Sequence, residues 1–524
     1  MSARMVYGLL AALLLSGEMP AQDSTRADTT APRIGPPIRR ISTAAAVSKQ
    51  PIGAIGGVRE LPDGRVLLND VGSRRLLLLD TMLVTELVVL DSASEKENTY
   101  GNRPGGLIAH RGDSSLFIDP NSLAMLVLDP QGGIARVRSV PRAQDVGRYA
   151  GAGAGGANMF TDARGRLVYR MNARPAEPAV RPPRGVPYIP QEPDSAFIVA
   201  LDFETRKLDT LGAIRTPRQE FTVRVSPNGG WNFNVSINPI PTQDEWTVLS
   251  DGTVAFVRWL DYRVDYRNPD GSWTSSDKIP YDWQAISPAE KERIVDSVRT
   301  VQSRNLRTAH TTSVIRYVNT YKRKYPQGFT APEGYRPPNG FAKDWQFPPG
   351  VTFPANYIYA CAPGEEPKEL AATPGDTTPA APQPSVMVMG PEVLVMGPPG
   401  AQRMPGGGRP SCIPQPIPNL ARIPDPPVMR EVSVINPRYL PDFRPPFTNG
   451  AVRADLDGNL WVRTVPARRT PGGPVYDIVS REGKLVDRLQ VPPGYQLVGF
   501  GRGRVVFLMV RDAAGVHLAR VRLR

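Results

Sequence analysis

Val58 to Asp80 reads VRELPDGRVLLNDVGSRRLLLLD, and this stretch decides the fold. Asp63-Gly64 lies between two apolar runs. That is a strong local hairpin signal, because glycine takes a positive φ without steric cost. Val66, Leu67 and Leu68 follow, a run too short for a helix and apolar enough for a buried strand. Leu76 to Leu79 makes the next strand, closed by Asp80. The stretch is therefore strand, tight turn, strand, short loop, strand.

Looser copies of turn-then-strand recur to the C-terminus. They follow Asp113-Ser114, Arg164-Gly165, Asp251-Gly252, Asp457-Gly458 and Arg502-Gly503. Taken at positions 64, 114, 165, 252, 458 and 503, the turns are separated by 50, 51, 87, 206 and 45 residues. Three gaps share one period, and the other two contain one period plus insertions. Units of four strands repeating at roughly 40–50 residues mark a β-propeller, in which each blade packs on its neighbours. The expected fold is all-β: a six-bladed β-propeller with long Pro-rich insertions and one short helix.

The repeated pattern, an Asp-Gly turn followed by an apolar strand ending in Asp, resembles NHL-repeat and related six-bladed propellers. The segments IPYDWQAISPAEKERI (279–294), LPDFRPPF (440–447), DGNLWVRT (457–464) and LVGFGRGRVVFL (497–508) resemble a group of secreted bacterial six-bladed propeller proteins of unassigned function. The resemblance covers most of the chain outside its insertions and implies a fold rather than an activity.

Composition narrows the rest. The chain has 524 residues, 57 of them proline, and a formal net charge of +13. Basic charge can signal nucleic acid or an anionic surface. No helix-turn-helix, zinc-finger or RNA-binding signature accompanies it, and the arginines are scattered, so nucleic acid is not expected as a partner. Cys361 and Cys412 form neither a zinc motif nor a redox motif. His110, His310 and His517 are far apart in sequence and read as structural or surface residues.

In chain order, residues 1–21 read as a secretory signal. Arg4 precedes a ten-residue apolar core from Val6 to Leu15, too short to span a bilayer, and a small-residue end follows. The mature protein is expected in the periplasm or outside the cell, without a transmembrane segment and as a monomer. Residues 22–37 read as a disordered lead-in and 38–524 as the propeller. Part of Ile38–Val47 is expected to complete the last blade by pairing with Leu518–Leu523, because that blade is one strand short and an open edge invites aggregation. Two insertions interrupt the repeat, at 171–196 and 287–446. Tyr149 to Asn158 and Arg215 to Thr242 read as connectors. Ser287-Pro288-Ala289-Glu290 fits a capping box, so a helix is expected over 288–304, with Ile294, Val298 and Val301 packing on the propeller. Residues 365–427 read as disordered loop, which a Cys361–Cys412 disulfide could close.

No nucleophile elbow and no metal-binding helix motif occurs. Gluconolactonase- and regucalcin-type propellers hold a metal with Glu, Asn and Asp at the tunnel. Glu60, Asn69, Asp70, Asp119 and Asp162 are the residues of those types here, but none lies in a matching motif. No cofactor is therefore expected, Ca²⁺ being the one alternative. The Asp at the end of a second strand also serves to tie the following turn. Three arginines hold matched places at the ends of second strands: Arg170, Arg258 and Arg463. A guanidinium fork suits carboxylate, phosphate or sulfate. The other reading of the three is a structural ring of ion pairs with acidic residues of neighbouring blades. The functional expectation is a secreted, non-catalytic binding or scaffold propeller. It would take an anionic small molecule, peptide, glycan or protein partner on the face that carries the insertions. The alternative is a metal-dependent, lactonase-like hydrolase or lyase.

Overall fold

The structure is a computed structural model. It describes residues 35–41, 44–92, 99–145, 159–173, 189, 193–225, 231–324, 357–361, 387–389, 392–394, 412–416, 432–466 and 471–523. The signal segment 1–21 and the connector 149–158 lie outside these residues or nearly so.

Four copies of the repeated turn share one geometry. The N–H of Leu61 donates to the carbonyl of Arg65, and that of Gly64 to the carbonyl of Leu61. This is a three-residue loop whose last position needs a positive φ. Gly64 supplies it at 84°, and Gly165, Gly252 and Gly458 do the same in their copies, whereas the sixth copy sets both Gly503 and Arg504 at positive φ. In the second copy Asp113 takes φ 61°, a conformation aspartate tolerates better than most residues.

Two short strands open the chain, β1 (Ile38–Arg40) and β2 (Ala46–Val47). Blade one follows as β3 (Ile55–Glu60), β4 (Val66–Asp70), β5 (Arg75–Leu79) and β6 (Glu86–Asp91). Blade two is β7 (Gly106–Ala109), β8 (Ser115–Asp119), β9 (Ala124–Leu128) and β10 (Ile134–Ser139). Blade three is β11 (Met159–Thr161), β12 (Leu167–Asn172), β13 (Ser195–Leu201) and β14 (Leu208–Arg215). A separate hairpin, β15 (Phe221–Val225) and β16 (Trp231–Val235), precedes blade four, which is β17 (Glu245–Val248), β18 (Val254–Arg258), β19 (Arg263–Arg267) and β20 (Trp273–Ser275). The helix α1 runs over Pro288–Lys324, and short strands β21 (Tyr357–Cys361), β22 (Met387–Met389), β23 (Glu392–Leu394) and β24 (Cys412–Pro416) follow. Blade five is β25 (Phe447–Ala454), β26 (Leu460–Thr464), β27 (Val475–Val479) and β28 (Leu485–Gln490). Blade six is β29 (Tyr495–Gly501), β30 (Val505–Arg511) and β31 (Val516–Arg522).

Each blade buries both faces, because each is sandwiched between two others. Six apolar clusters fill the six gaps. Leu67 meets Phe117 between blades one and two, and Met125 shares a cluster with Tyr169 between two and three. Val168 and Trp246 share the next, then Tyr262 and Phe447, then Trp461 and Val506. Phe507 and Leu68 join blade six back to blade one, so the ring is closed. The near-continuous apolar run of β4 and β5 follows from this two-sided burial.

Both ends of the chain make that closure. Strand β2 pairs antiparallel with β31, Ala46 opposite Arg520 and Val47 opposite Ala519, and so supplies the missing fourth strand of blade six. Strand β1 pairs parallel with β28 and gives blade five a fifth strand.

The insertions depart from the sequence reading in four places. The connector 215–242 carries the β15–β16 hairpin. Helix α1 is longer than expected, Pro288–Lys324 instead of 288–304. No proline or glycine interrupts it before Pro326. Its start is capped by the Ser287 hydroxyl, which accepts from the Glu290 N–H at 3.2 Å, while the Glu290 carboxylate takes the Arg444 guanidinium at 2.5 Å. Its buried stripe is Lys291, Ile294, Val295 and Val298, and Val301 is exposed. The stripe rests on Ile435, Leu440 and Ile240 in a cluster of its own, apart from the six between blades. Finally, within 365–427 the strands Met387–Met389 and Glu392–Leu394 pair as a hairpin, β22 with β23, and Cys412 at the head of β24 stands in register with Cys361 of β21. The rest of 365–427 lies outside the described residues.

Candidate functional site

The six innermost strands surround the axis. The second halves of all six, with the turns that follow, enclose a cavity of about 460 Å³. Arg59, Ile108, Met159, Thr247, Arg453 and Phe500 each represent one strand in its wall. The long insertions leave from the opposite end, because they follow second strands (171–196) or outer strands (215–242 and 276–446). A volume of 300–1,000 Å³ with apolar walls and a few placed polar groups is typical of small-molecule sites.

The polar groups in this wall are unevenly paired. Among the described residues Arg453 has no hydrogen-bond or ion-pair partner. Desolvation in the tunnel wall lowers its pKa from the guanidinium value, Tyr476 opposes that shift and Arg463 adds to it. Arg59 donates through Nη2 to the carbonyls of Asp113 and Ser114, at 3.0 and 2.8 Å, while its buried Nε has no partner. Desolvation, with Arg502 nearby, brings Arg59 to about 10 against the pull of Asp113. His110 is held down to about 4 by burial and by Arg111, Arg136, Arg138 and Arg59, so its imidazole is neutral near pH 7. Its buried Nδ1 is unpartnered, as is the buried hydroxyl of Thr247.

The carboxylates in the same wall are already used. Asp162 accepts from the N–H groups of Arg164 and Arg166 and from the Arg166 guanidinium at 2.8 Å. Asp455 accepts from Trp461 Nε1, from the Asn459 amide and from backbone N–H groups of its own turn. Among the described residues the cavity thus holds a guanidinium without a counter-charge, beside Asp162, which is paired with Arg166, and Asp455, whose oxygens are taken by neutral donors. Electrostatically it is suited to an anion.

The three arginines expected from the sequence lie at the insertion-bearing end, and the structure does not bring them together as a ring. Arg258 is tied to acids of its own blade and to the blade before it: Nε donates to Asp265 at 2.7 Å, and Nη1 to Asp244 and to the Ala213 carbonyl of blade three at 2.9 Å. It is an ion-pair strut. Arg170 and Arg463 both act on Glu245, a carboxylate at the start of β17. Burial raises Glu245, while the Gly450 N–H at 2.9 Å, the Gln243 amide and the two arginines lower it.

The residues weighed for a metal are spread over the ring and engaged elsewhere. Asp70 accepts from the N–H groups of Gly53, Ala54 and Ser73, and Asp119 from those of Asn121 and Ser122. These are the turn-tying roles expected of an Asp ending a second strand. Asn69 bridges the Gly105 carbonyl and the Tyr100 hydroxyl, and Glu60 pairs with Arg520 at 2.6 Å. Among the described residues no group of three or more His, Cys, Asp or Glu is placed to share a metal. His517 is buried against the Ser48 carbonyl, a structural role, whereas His110 lies in the cavity wall. Arg453, Thr247 and His110 were not singled out by sequence as a site. The signal available was position alone: Arg453 interrupts an apolar innermost strand, Ala451-Val452-Arg453-Ala454.

Six sheets around a tunnel, closed by both termini, define a six-bladed β-propeller. No family model matches the chain, and no curated protein matches it. Similar solved structures are propeller proteins. They include a streptogramin B lyase at 10% identity and TM-score 0.21, aligned over 44% of this chain and 57% of that one. Regucalcin from Agrobacterium tumefaciens, described as calcium-binding, has 12% identity and TM-score 0.21 over 46% and 80%. A gluconolactonase from Xanthomonas campestris has 16% identity and TM-score 0.21 over 48% and 91%. This chain therefore covers little more than half the length of the lyase. Among these neighbours are both enzymes and a binding protein, and the fold assignment here rests on the sheets themselves. Among the described residues no helix is long and apolar enough to cross a membrane.

Proposed function

We propose that this chain is a secreted, non-catalytic binding propeller that holds a small anionic molecule in its tunnel. One observation carries the reading: Arg453 lines the cavity with no hydrogen-bond or ion-pair partner among the described residues. Arg453 is half-buried in the tunnel wall. Solvent screens a charge there less than at the open surface, so an anion entering the tunnel would be held more strongly than by an exposed arginine. Arg463 deepens the positive potential around Arg453, and Arg258, bound to Asp244 and Asp265, serves the scaffold. The exposed Arg111 at the cavity wall adds steering. The secretory reading of residues 1–21 supports an extracytoplasmic setting.

The test is calorimetric titration of sulfate, inorganic phosphate and benzoate into the parent and Arg453→Gln proteins. A charged hydrogen bond contributes about 1.5–3 kcal/mol, so the variant should weaken the best of these roughly tenfold or more. Equal affinity in the two proteins, or no binding of any of the three, overturns the proposal.

A further inference from the structure

We infer that the molecule held in the tunnel is a monocarboxylate with an apolar body, its carboxylate on the Arg453 fork and its body along the apolar wall. This rests on the anion-binding reading above and narrows it to a chemical class.

Three observations lead there. The first is the number of free donors. Of the arginines in the wall, Arg59 spends Nη2 on two carbonyls and Arg111 is exposed, so among the described residues half-buried Arg453 offers the unengaged fork set deepest in the wall. A guanidinium fork meets the two oxygens of a carboxylate in a planar, two-point contact. A phosphate dianion carries more charge and more acceptors, and it is usually met by several cations or by loose backbone N–H groups. The innermost strands are edge strands, so the N–H groups they turn toward the axis stand at alternate positions along extended backbone and do not form the close nest of successive N–H groups that wraps a phosphate.

The second is the remaining polar surface. Thr247 is fully buried in the wall, and its hydroxyl has no partner in the protein. No part of Thr247 is exposed to the cavity as it stands, so its hydroxyl would meet an acceptor there through a rotamer change on ligand entry. The His110 ring stays neutral and adds a weak polar contact instead of a second positive charge. One positive fork and one hydroxyl match a single anionic group.

The third is the rest of the wall. Ile108, Met159, Val248, Val452, Val498 and Phe500 present hydrocarbon to the same cavity. Such a surface favours a ligand whose remainder is apolar, and it leaves a polyhydroxylated or multiply charged ligand with groups it cannot pair.

The experiment is calorimetry on the full chain with butanoate, hexanoate, octanoate and inorganic phosphate. Affinity should rise about fourfold per methylene between butanoate and octanoate, the factor expected for a buried CH₂. Octanoate should bind tighter than phosphate. Arg453→Gln should lose tenfold or more for octanoate. Thr247→Val, which keeps the volume and removes no partner of another residue, should lose threefold or more even if the arginine variant fails to fold. Phosphate binding tighter than every carboxylate, with no dependence on chain length, overturns the carboxylate class and leaves the anion reading standing. Octanoate bound equally by the parent and both variants overturns the anion reading itself.

Discussion

The N–H of Ser48 donates to the carbonyl of Leu518 at 2.8 Å, so a segment that precedes blade one is hydrogen-bonded to the last strand of blade six. The Ser48 hydroxyl repeats the link by accepting from the Leu518 N–H at 3.1 Å. Between these residues lie blades one to four and most of blades five and six. Ile41 and Ile52, on either side of β2, are buried in the two clusters that flank blade six.

Removal of residues 1–47 should therefore open the ring. Strand β31 would show a bare edge, and such edges template aggregation. The truncated protein should melt several degrees lower than the full chain and aggregate on heating. An unchanged melting curve would show that the ring closes without its N-terminal strand.

Tyr262 joins blade four to blade five through its hydroxyl, which donates to Asp477 at 2.9 Å. Both residues are buried. Burial raises the Asp477 carboxyl, while Arg488 and Tyr262 lower it. Tyr262→Phe should cost about 1–3 kcal/mol, the penalty for under-satisfying a buried polar group. Urea unfolding measures this, and a change within error would mean that Arg488 alone satisfies the carboxylate.

His110 makes the fold acid-sensitive. Its ring is held down to about 4, against an ordinary value of 6.5. The unfolded chain therefore takes up the proton first. Stability from this residue is complete above pH about 6.5 and is lost as pH falls toward 4. His110→Asn should flatten stability between those values. Nuclear magnetic resonance should find the His110 ring titrating near 4 in the free protein, and higher once an anion occupies the cavity. A free-protein value near 6.5 would contradict the buried, electropositive surroundings described for it.

Cys361 stands opposite Cys412 in the β21–β24 ladder. Directly opposed residues in an antiparallel pair have Cα atoms about 4.5–5.5 Å apart, within the range a disulfide accepts. Protein exported to an oxidising compartment should yield one linked peptide containing both residues in a non-reducing digest. Closing a loop of this length would remove about 4 kcal/mol of unfolded-state entropy. Alkylation of both thiols without prior reduction would exclude the bridge.

Much of this fold is legible in the sequence because its turns are local. Asp63-Gly64 and its copies need only neighbouring residues to specify a hairpin, and each strand's apolar run reports burial on two faces. The closure by β2 was legible by subtraction, since blade six lacked a strand. The end of α1 was misread: the helix was expected to stop at 304, although no proline or glycine occurs between Ala289 and Tyr325 and it runs to Lys324. The site was not legible. Matching positions across blades singles out Arg258, but whether an arginine is free depends on Asp244 and Asp265, which reach it only in three dimensions. Arg453 differs from Arg258 in having no such partner, and sequence does not display the absence of a partner.

The central claim is that the tunnel takes an anion on Arg453. Crystals soaked in 4-bromobenzoate test it most directly, since the bromine is located by its anomalous signal and the carboxylate by density. The account predicts a bromine peak inside the tunnel among Ile108, Met159 and Phe500, with the carboxylate on the Arg453 guanidinium. A ligand seated instead at the insertion-bearing end beside Arg170 and Arg463, or a tunnel without bromine, would contradict it.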